Sequence, residues 1–174
     1  MQTLSLDRSV AMIPDGASLM VGGFMAVGTP ERLIDELVRQ NKRDLTLIAN
    51  DTAAPGRGIG KLVDAKLLRK VIASHIGLNR ETQRQMMAGE LEVELVPQGT
   101  LIERIRAGGH GLGGVLTQTG IGTPVETASN ALKWMGKATC SSWRCARTLR
   151  WCRHFSPTIW ATSATRSRRA ISIR

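Results

Sequence analysis

The chain has 174 residues, 42% of them hydrophobic, which suits one domain with a real core. A formal charge of +10 points to an anionic partner such as nucleic acid, but its distribution does not. Residues 1–132 carry 14 basic and 14 acidic side chains, whereas residues 133–174 carry 10 basic and none acidic. No apolar run approaches membrane-spanning length, and Asp7 interrupts the N-terminal segment too early for a signal peptide, so a soluble cytoplasmic protein is the expectation.

In chain order, Leu6, Val10 and Ile13 sit at helical spacing over 5–13, and Pro14-Asp15-Gly16 supplies a stop and a turn. The apolar run 19–21 reads as a buried parallel strand. Gly22, Gly23 and Gly28 follow in a loop, with Thr29 as N-cap and Pro30 as the first-turn proline of a helix over 30–40. That helix places Leu33, Ile34, Leu37 and Val38 on one face, with Glu31, Arg32, Asp35, Glu36 and Arg39 largely on the other. Residues 44–50 form a second strand ending in Asn50-Asp51-Thr52, at the end of a parallel strand where open α/β sheets place ligands; an Asx-turn closing the strand is the plainer alternative. A short helix over 61–66, a strand over 70–74, a helix over 79–89 capped by Asn79 and a half-exposed edge strand over 91–96 follow. His75 lacks a metal-spaced partner and reads as a turn or packing residue rather than a catalytic base. Pro97-Gln98-Gly99-Thr100 repeats the strand–turn–helix grammar, with Leu101, Ile102 and Ile105 as the helix's apolar stripe. The run Gly108-Gly109-His110-Gly111-Leu112-Gly113-Gly114 is too flexible for an element interior, and is either a linker or a loop held by a ligand or a second subunit. Four strand–helix alternations predict an α/β domain with an open, mostly parallel sheet and helices on both faces.

The glycine loop carries the function. A bend almost without side chains, followed by a helix start with its partial positive charge, suits an anionic, phosphate-bearing ligand. The spacing is not the dinucleotide GxGxxG, and no ribose-binding acid stands about twenty residues on, which argues against a nicotinamide enzyme. The whole string Asp15-Gly16, two free positions, three apolar residues, Gly22-Gly23-Phe24, three free positions, then Gly28-Thr29-Pro30 resembles the signature of coenzyme A-transferase family I. LTLIANDTA (45–53), KVIASHIG (70–77), GELEVELVPQGTLIERIRAGG (89–109) and TGIGTPVE (119–126) are likewise similar to the alpha subunits of bacterial acetate/acetoacetate CoA-transferases.

The resemblance implies an enzyme of two kinds of subunit, of the alpha2beta2 type, that moves coenzyme A between short-chain carboxylic acids such as acetate, acetoacetate and butyrate. A succinyl-CoA:3-oxoacid transferase is the neighbouring alternative. The family chemistry runs through a glutamyl-CoA thioester on the beta subunit, so no glutamate here takes that role, and coenzyme A is a substrate rather than a bound cofactor. By the same resemblance Gln98 and Asn50 support the oxyanion and the active site, and Gly22, Gly23, Phe24, Met25, Ala26, Val27 and Gly28 cradle coenzyme A. No metal is implied. His110 departs from the small residue expected between the glycines.

After Glu126 the family pattern stops, and a slipped reading frame accounts for it. Re-read from each codon's third base, Trp134-Met135-Gly136 contains an Asp-Gly, Trp151-Cys152 a valine and Trp160-Ala161 a glycine. With the free third bases, 127–140 can be read as (D/N)GKQ then EVDGK.YL, and 145–174 as RAD.ALV.AF.ADYLGN...ALTARNFNP, the family's next elements in order. All three cysteines (Cys140, Cys145, Cys152) and all four tryptophans (Trp134, Trp143, Trp151, Trp160) also fall in this acid-free segment. Residues 1–126 are therefore expected to form an incomplete alpha-subunit domain, truncated at its C-terminal side. Residues 127–174 are expected to be an out-of-frame tail that is not natively folded, leaving the chain as written inactive. A basic nucleic-acid-binding tail with interleaved tryptophans is the rival reading. Zinc at the cysteines and His154 is disfavoured because no CxxC pair is present.

Overall fold

The computed structural model describes residues 2–127, 130–134, 137–143, 149–152, 158–161 and 169–172, with side chains described over 4–126. It divides into two compact units, Met1–Leu95 with Arg147–Arg174, and Val96–Ala146.

The first unit opens with strand β1 (Gln2–Thr3) and helix α1 (Leu6–Ala11), then alternates β2 (Ser18–Val21), α2 (Glu31–Arg39), β3 (Leu45–Ala49), α3 (Gly60–Asp64), β4 (Leu68–Ala73), α4 (Arg80–Met87) and β5 (Glu92–Leu95). β2, β3, β4 and β5 pair in that order, all parallel, so that Leu19, Leu47, Val71 and Val93 stand side by side. Strands laid down in sequential order with right-handed crossovers bring α2, α3 and α4 to one face, and α1, α2, α3 and α4 do pack in a row. Leu19, Leu47 and Val71 meet Ile34, Leu37, Leu62 and Val63 in one core. β3 is buried along its whole length, with Thr46 and Ile48 on the opposite face, which is why its sequence is a continuous run rather than an alternation. β5 ends the sheet as the expected half-exposed edge.

Three further strands belong to this sheet: β9 (Leu149–Cys152), parallel to β2, then β10 (Thr158–Ala161) and β11 (Arg169–Ser172), joined antiparallel, with β1 parallel to β11. Of the tail expected not to fold natively, 130–134, 137–143, 149–152, 158–161 and 169–172 lie in strands, and the rest, apart from Thr127, lies outside the described residues. So do Cys145 and His154 and the side chains of Cys140 and Cys152.

Two local features of the first unit differ from expectation. α2 begins at Glu31 with Pro30 in the N-cap position, and Thr29 is buried rather than capping. Glu36 is buried despite its charge, because it accepts hydrogen bonds from the Arg39 guanidinium and the Gln40 amide one turn on. The Arg39 contact, then the Gln40 amide, holds its carboxyl below the usual range.

α4 shows how the loops are anchored. Asn79 is fully buried; its Oδ1 accepts from the N–H groups of Glu81 (3.0 Å) and Thr82 (3.1 Å), and its Nδ2 donates to the Thr52 carbonyl at 3.0 Å. One side chain thus caps a helix and holds the loop after β3. Asn79→Ala is expected to lower stability by about 2 kcal/mol, the upper end for a lost cap, because it also orphans a buried carbonyl. Asn79→Asp keeps the cap acceptor but turns a carboxylate oxygen toward the buried Thr52 carbonyl, so by chemical denaturation it should lose at least as much.

A partly exposed cluster along α4 sets a pH dependence. Hydrogen bonds from Arg84, then Gln85, bring the Glu81 carboxyl from 4.5 down to about 2, and those from Arg84, then Lys66, do the same for Glu90. Carboxyls lowered in the folded state stabilise it fully above their unfolded value, and that contribution disappears as pH falls from 4.5 toward 2. The denaturation midpoint should therefore drop through this window, less steeply in Arg84→Met and less steeply at high salt.

The second unit contains α5 (Gln98–His110), β6 (Gly114–Thr117), α6 (Pro124–Thr127), β7 (Asn130–Trp134) and β8 (Lys137–Trp143). β8 lies antiparallel between β6 and β7, and α5 packs on β6 and β8. The glycine run expected as a loop is split: Gly108, Gly109 and His110 complete the last turn of α5, and Gly111 closes it at φ 75°. The Leu112 N–H then reaches back to the Ala107 carbonyl at 2.9 Å. The buried stripe of Leu101 and Ala107 carries the helix through its glycines, and the left-handed cap is where a glycine is needed.

Candidate functional site

The loop after β2 is a miniature hairpin. Phe24 N–H donates to the Val27 carbonyl at 3.0 Å and Val27 N–H to the Phe24 carbonyl at 2.9 Å. The two residues between, Met25 (φ 50°) and Ala26 (φ 69°), both lie in the left-handed region, the type I′ pattern that normally calls for Asn-Gly. Gly23 (φ 121°) and Gly28 (φ 81°) take positive φ, as glycine allows; Gly22 does not, and two non-glycine residues do. Space also dictates Gly23, where a Cβ would lie 2.5 Å from Thr29 Oγ1 and 2.9 Å from the Val27 carbonyl oxygen. The hairpin's tip is apolar and exposed: Phe24 52%, Met25 51% and Val27 79%.

The end of β3 holds this loop. Asn50 Nδ2 donates to the Gly23 carbonyl at 2.9 Å, and the Met25 N–H donates to Asp51 Oδ2 at 2.9 Å. The Asn50 carbonyl accepts from the N–H and hydroxyl of Ser74 (3.0 and 2.7 Å) and from the N–H of His75 (3.2 Å), which ties the ends of β3 and β4 together. The His75 ring is exposed at this turn. On the far side, Gly58 sits so close that a Cβ on it would come within 2.9 Å of Ala26 Cβ. Glu31, in the first turn of α2, accepts from the Gly58 N–H at 2.9 Å and from Lys61 Nζ at 2.7 Å, and the hydrogen bonds that Lys61 donates to Asp35 and then Glu31 raise its pKa. The Glu31 N–H is taken by the Thr29 carbonyl at 2.9 Å, so the start of α2 is less open to an anion than its sequence suggests.

The structure thus brings residues 22–28 and Asn50 together. Gln98 opens α5 in the second unit, exposed, two residues before Thr100, whose buried hydroxyl has no hydrogen-bond partner. Asp51, Gly58 and Glu31 are not singled out by the sequence; only the position of Asp51 at the end of a parallel strand hints at a role. Among the described residues no group of histidine, cysteine, aspartate and glutamate side chains is placed to hold a metal, and no helix is long and apolar enough to cross a membrane.

A parallel sheet carrying a glycine loop at the carboxyl end of β2, latched from the neighbouring strand, defines an α/β protein with its loop at the strand ends where such folds place ligands. The coenzyme A transferase family model matches residues 3–140, and the chain belongs to that family. It is 54% identical over 147 residues to the acetate CoA-transferase alpha subunit of Escherichia coli K12, covering 84% of this chain and 65% of that one. It is also 54% identical over 122 residues to the acetoacetyl-CoA:acetate/butyrate CoA transferase alpha subunit of Clostridium acetobutylicum, covering 70% and 56%. The chain therefore spans 56 to 65% of the length of these relatives.

Among solved structures, the acyl-CoA transferase YdiF from Escherichia coli O157:H7 superposes with a TM-score of 0.72 at 24% identity, over 82% of this chain and 32% of that one, a likeness of fold. A variant of the decarboxylase AibA/AibB superposes with a TM-score of 0.69 at 26% identity, over 83% and 58%. One fold thus carries both names, so the reaction has to be argued from the site.

Proposed function

We propose that this chain supplies the alpha-subunit part of an enzyme that moves coenzyme A between short-chain carboxylic acids of the acetate, acetoacetate and butyrate type. The nucleophilic glutamate sits on a partner beta subunit, in an alpha2beta2 assembly in the cytoplasm. The observation that carries this reading is the latched hairpin of residues 22–28, in a chain 54% identical to two such alpha subunits. In this reading the backbone of Gly22, Gly23, Phe24, Met25, Ala26, Val27 and Gly28 cradles coenzyme A.

Attack of a carboxylate on a thioester carbonyl creates a tetrahedral oxyanion, which needs donors placed in advance. Gln98 donates its amide to that oxygen. Asn50 supports the site by holding the Gly23 carbonyl, and with it the loop's shape. Acids of the succinyl type are the neighbouring alternative, since a Bacillus subtilis chain named a probable succinyl-CoA:3-ketoacid coenzyme A transferase component is 47% identical over 125 residues.

The same proposal includes residues 127–174. Their lack of acidic residues and the family elements recovered on shifting the frame support a slipped frame rather than a nucleic-acid-binding tail. The test is acyl exchange between acetoacetate and acetyl-CoA with a family beta subunit, comparing the chain as written with one in which the frame is restored after Glu126. Turnover only in the restored chain is the expected result. Turnover by the chain as written would overturn the frame reading, and none by either would overturn the transferase reading. Salt-dependent DNA binding lost on deleting 127–174 would favour the basic tail.

A further inference from the structure

We propose that Asp51 is a positioning residue, a buried latch that holds the 24–27 hairpin in the backbone shape presented to the ligand. The inference deepens the transferase reading and rests on it for the ligand's identity. Met25 and Ala26 occupy left-handed φ angles that neither residue favours; Ala26 packs against the core, but the side chains at Phe24, Met25 and Val27 are half-exposed or more, so core packing holds the turn at Ala26 and not at Met25. Something else must hold Met25. Asp51 is 1% exposed and its Oδ2 accepts the Met25 N–H at 2.9 Å, at the first left-handed residue itself. A carboxylate is seldom buried to this extent without a specific partner, and a charged acceptor makes a stronger bond to an N–H than a neutral one.

Its neighbour Asn50 fixes the carbonyl of Gly23 at 2.9 Å, so two consecutive residues at the end of β3 seize the loop at two backbone groups of opposite polarity. Asn50 sets where the loop leaves the strand. Asp51 sets how it turns. The latch is mounted at the end of β3, a strand buried along its whole length.

Amide hydrogen exchange of the full chain tests this directly, with and without coenzyme A. The amides to read are those of Phe24 and Val27, which close the hairpin on each other's carbonyls, because the residue 25 N–H loses its acceptor in the variant whatever the loop does. In Asp51→Ala, exchange at residues 24 and 27 should rise about tenfold, while the β3 amides of Leu47 and Ile48 stay as slow as before. Asp51→Asn retains an acceptor oxygen and should lie between the two. Placing the favoured Asn-Gly pair at 25–26 in the Asp51→Ala chain should restore slow exchange at 24 and 27, because the turn then needs no latch. Unchanged exchange at 24 and 27 in Asp51→Ala, or no rescue by Asn-Gly, overturns the proposal, as does a collapse of protection in β3. The coenzyme A arm is read separately. Slower exchange over residues 23–28 in the parent chain that is lost in Asp51→Ala supports both readings, whereas no effect of coenzyme A on the parent chain counts against the ligand assignment and leaves the latch to the exchange data.

Discussion

Gly23→Ala is expected to remove coenzyme A exchange from the frame-restored, beta-assembled enzyme by a factor on the order of 100, through the loop's geometry rather than through chemistry. At φ 121° an alanine is outside even the left-handed well, and its Cβ would meet Thr29 Oγ1 at 2.5 Å, the Val27 carbonyl oxygen at 2.9 Å and the Thr29 nitrogen at 3.0 Å. The first obstacle is a side chain and can be removed. The other two are backbone atoms of the hairpin and its exit, so Thr29→Ala should not rescue the variant. The matched control is Gly16→Ala, also at positive φ (74°) but with nothing within 4 Å of the new Cβ. It should cost about 1 kcal/mol of stability and leave exchange kinetics alone. Steady-state rates with acetyl-CoA for both variants, next to their thermal midpoints, check this. A Gly23→Ala enzyme with parental rates would mean that the hairpin's shape is not what the substrate requires.

The reason that shape is only partly legible in the sequence lies in which residues make it. Glycine and proline punctuate a sequence openly, so the strand, loop and helix around residues 18–39 can be placed from Gly22, Gly23, Gly28 and Pro30, and the family signature follows from the same residues. A type I′ turn built on Met25 and Ala26 cannot be read that way, because those residues carry no preference for it and the bond that selects it comes from Asp51, 26 positions away. The same applies to Gly58 and Glu31, which meet the loop only after the chain has folded. Where local rules alone apply, they misplace details. Thr29 reads as a cap but is buried under the loop, and Gly108 and Gly109 read as loop although they complete a helix anchored by Leu101 and Ala107. Glu36 reads as exposed until Arg39 and Gln40 close on it. Capping by Asn79 and the half-exposed edge strand β5 depend on short-range pattern, and there sequence and structure agree.

Gln98→Ala, in the frame-restored enzyme, is expected to lower kcat by about 10²- to 10³-fold, the usual cost of removing one oxyanion donor. Because the donated bond strengthens only as the carbonyl becomes tetrahedral, kcat and kcat/KM should fall together and KM for the acyl-CoA should hardly move. That pattern separates Gln98 from the loop residues, which the same proposal assigns to coenzyme A binding. Gln98→Glu sharpens the argument, since a carboxylate of nearly the same shape would face a developing negative charge; it should be slower than Gln98→Ala at neutral pH and recover partly as the pH is lowered and the carboxyl gains a proton. If Gln98→Ala instead raised KM at constant kcat, the amide would be a substrate-binding group, and the donor for the oxyanion would have to be sought elsewhere, with the N–H groups at the start of α5 and the unpaired hydroxyl of Thr100 the next to be tested.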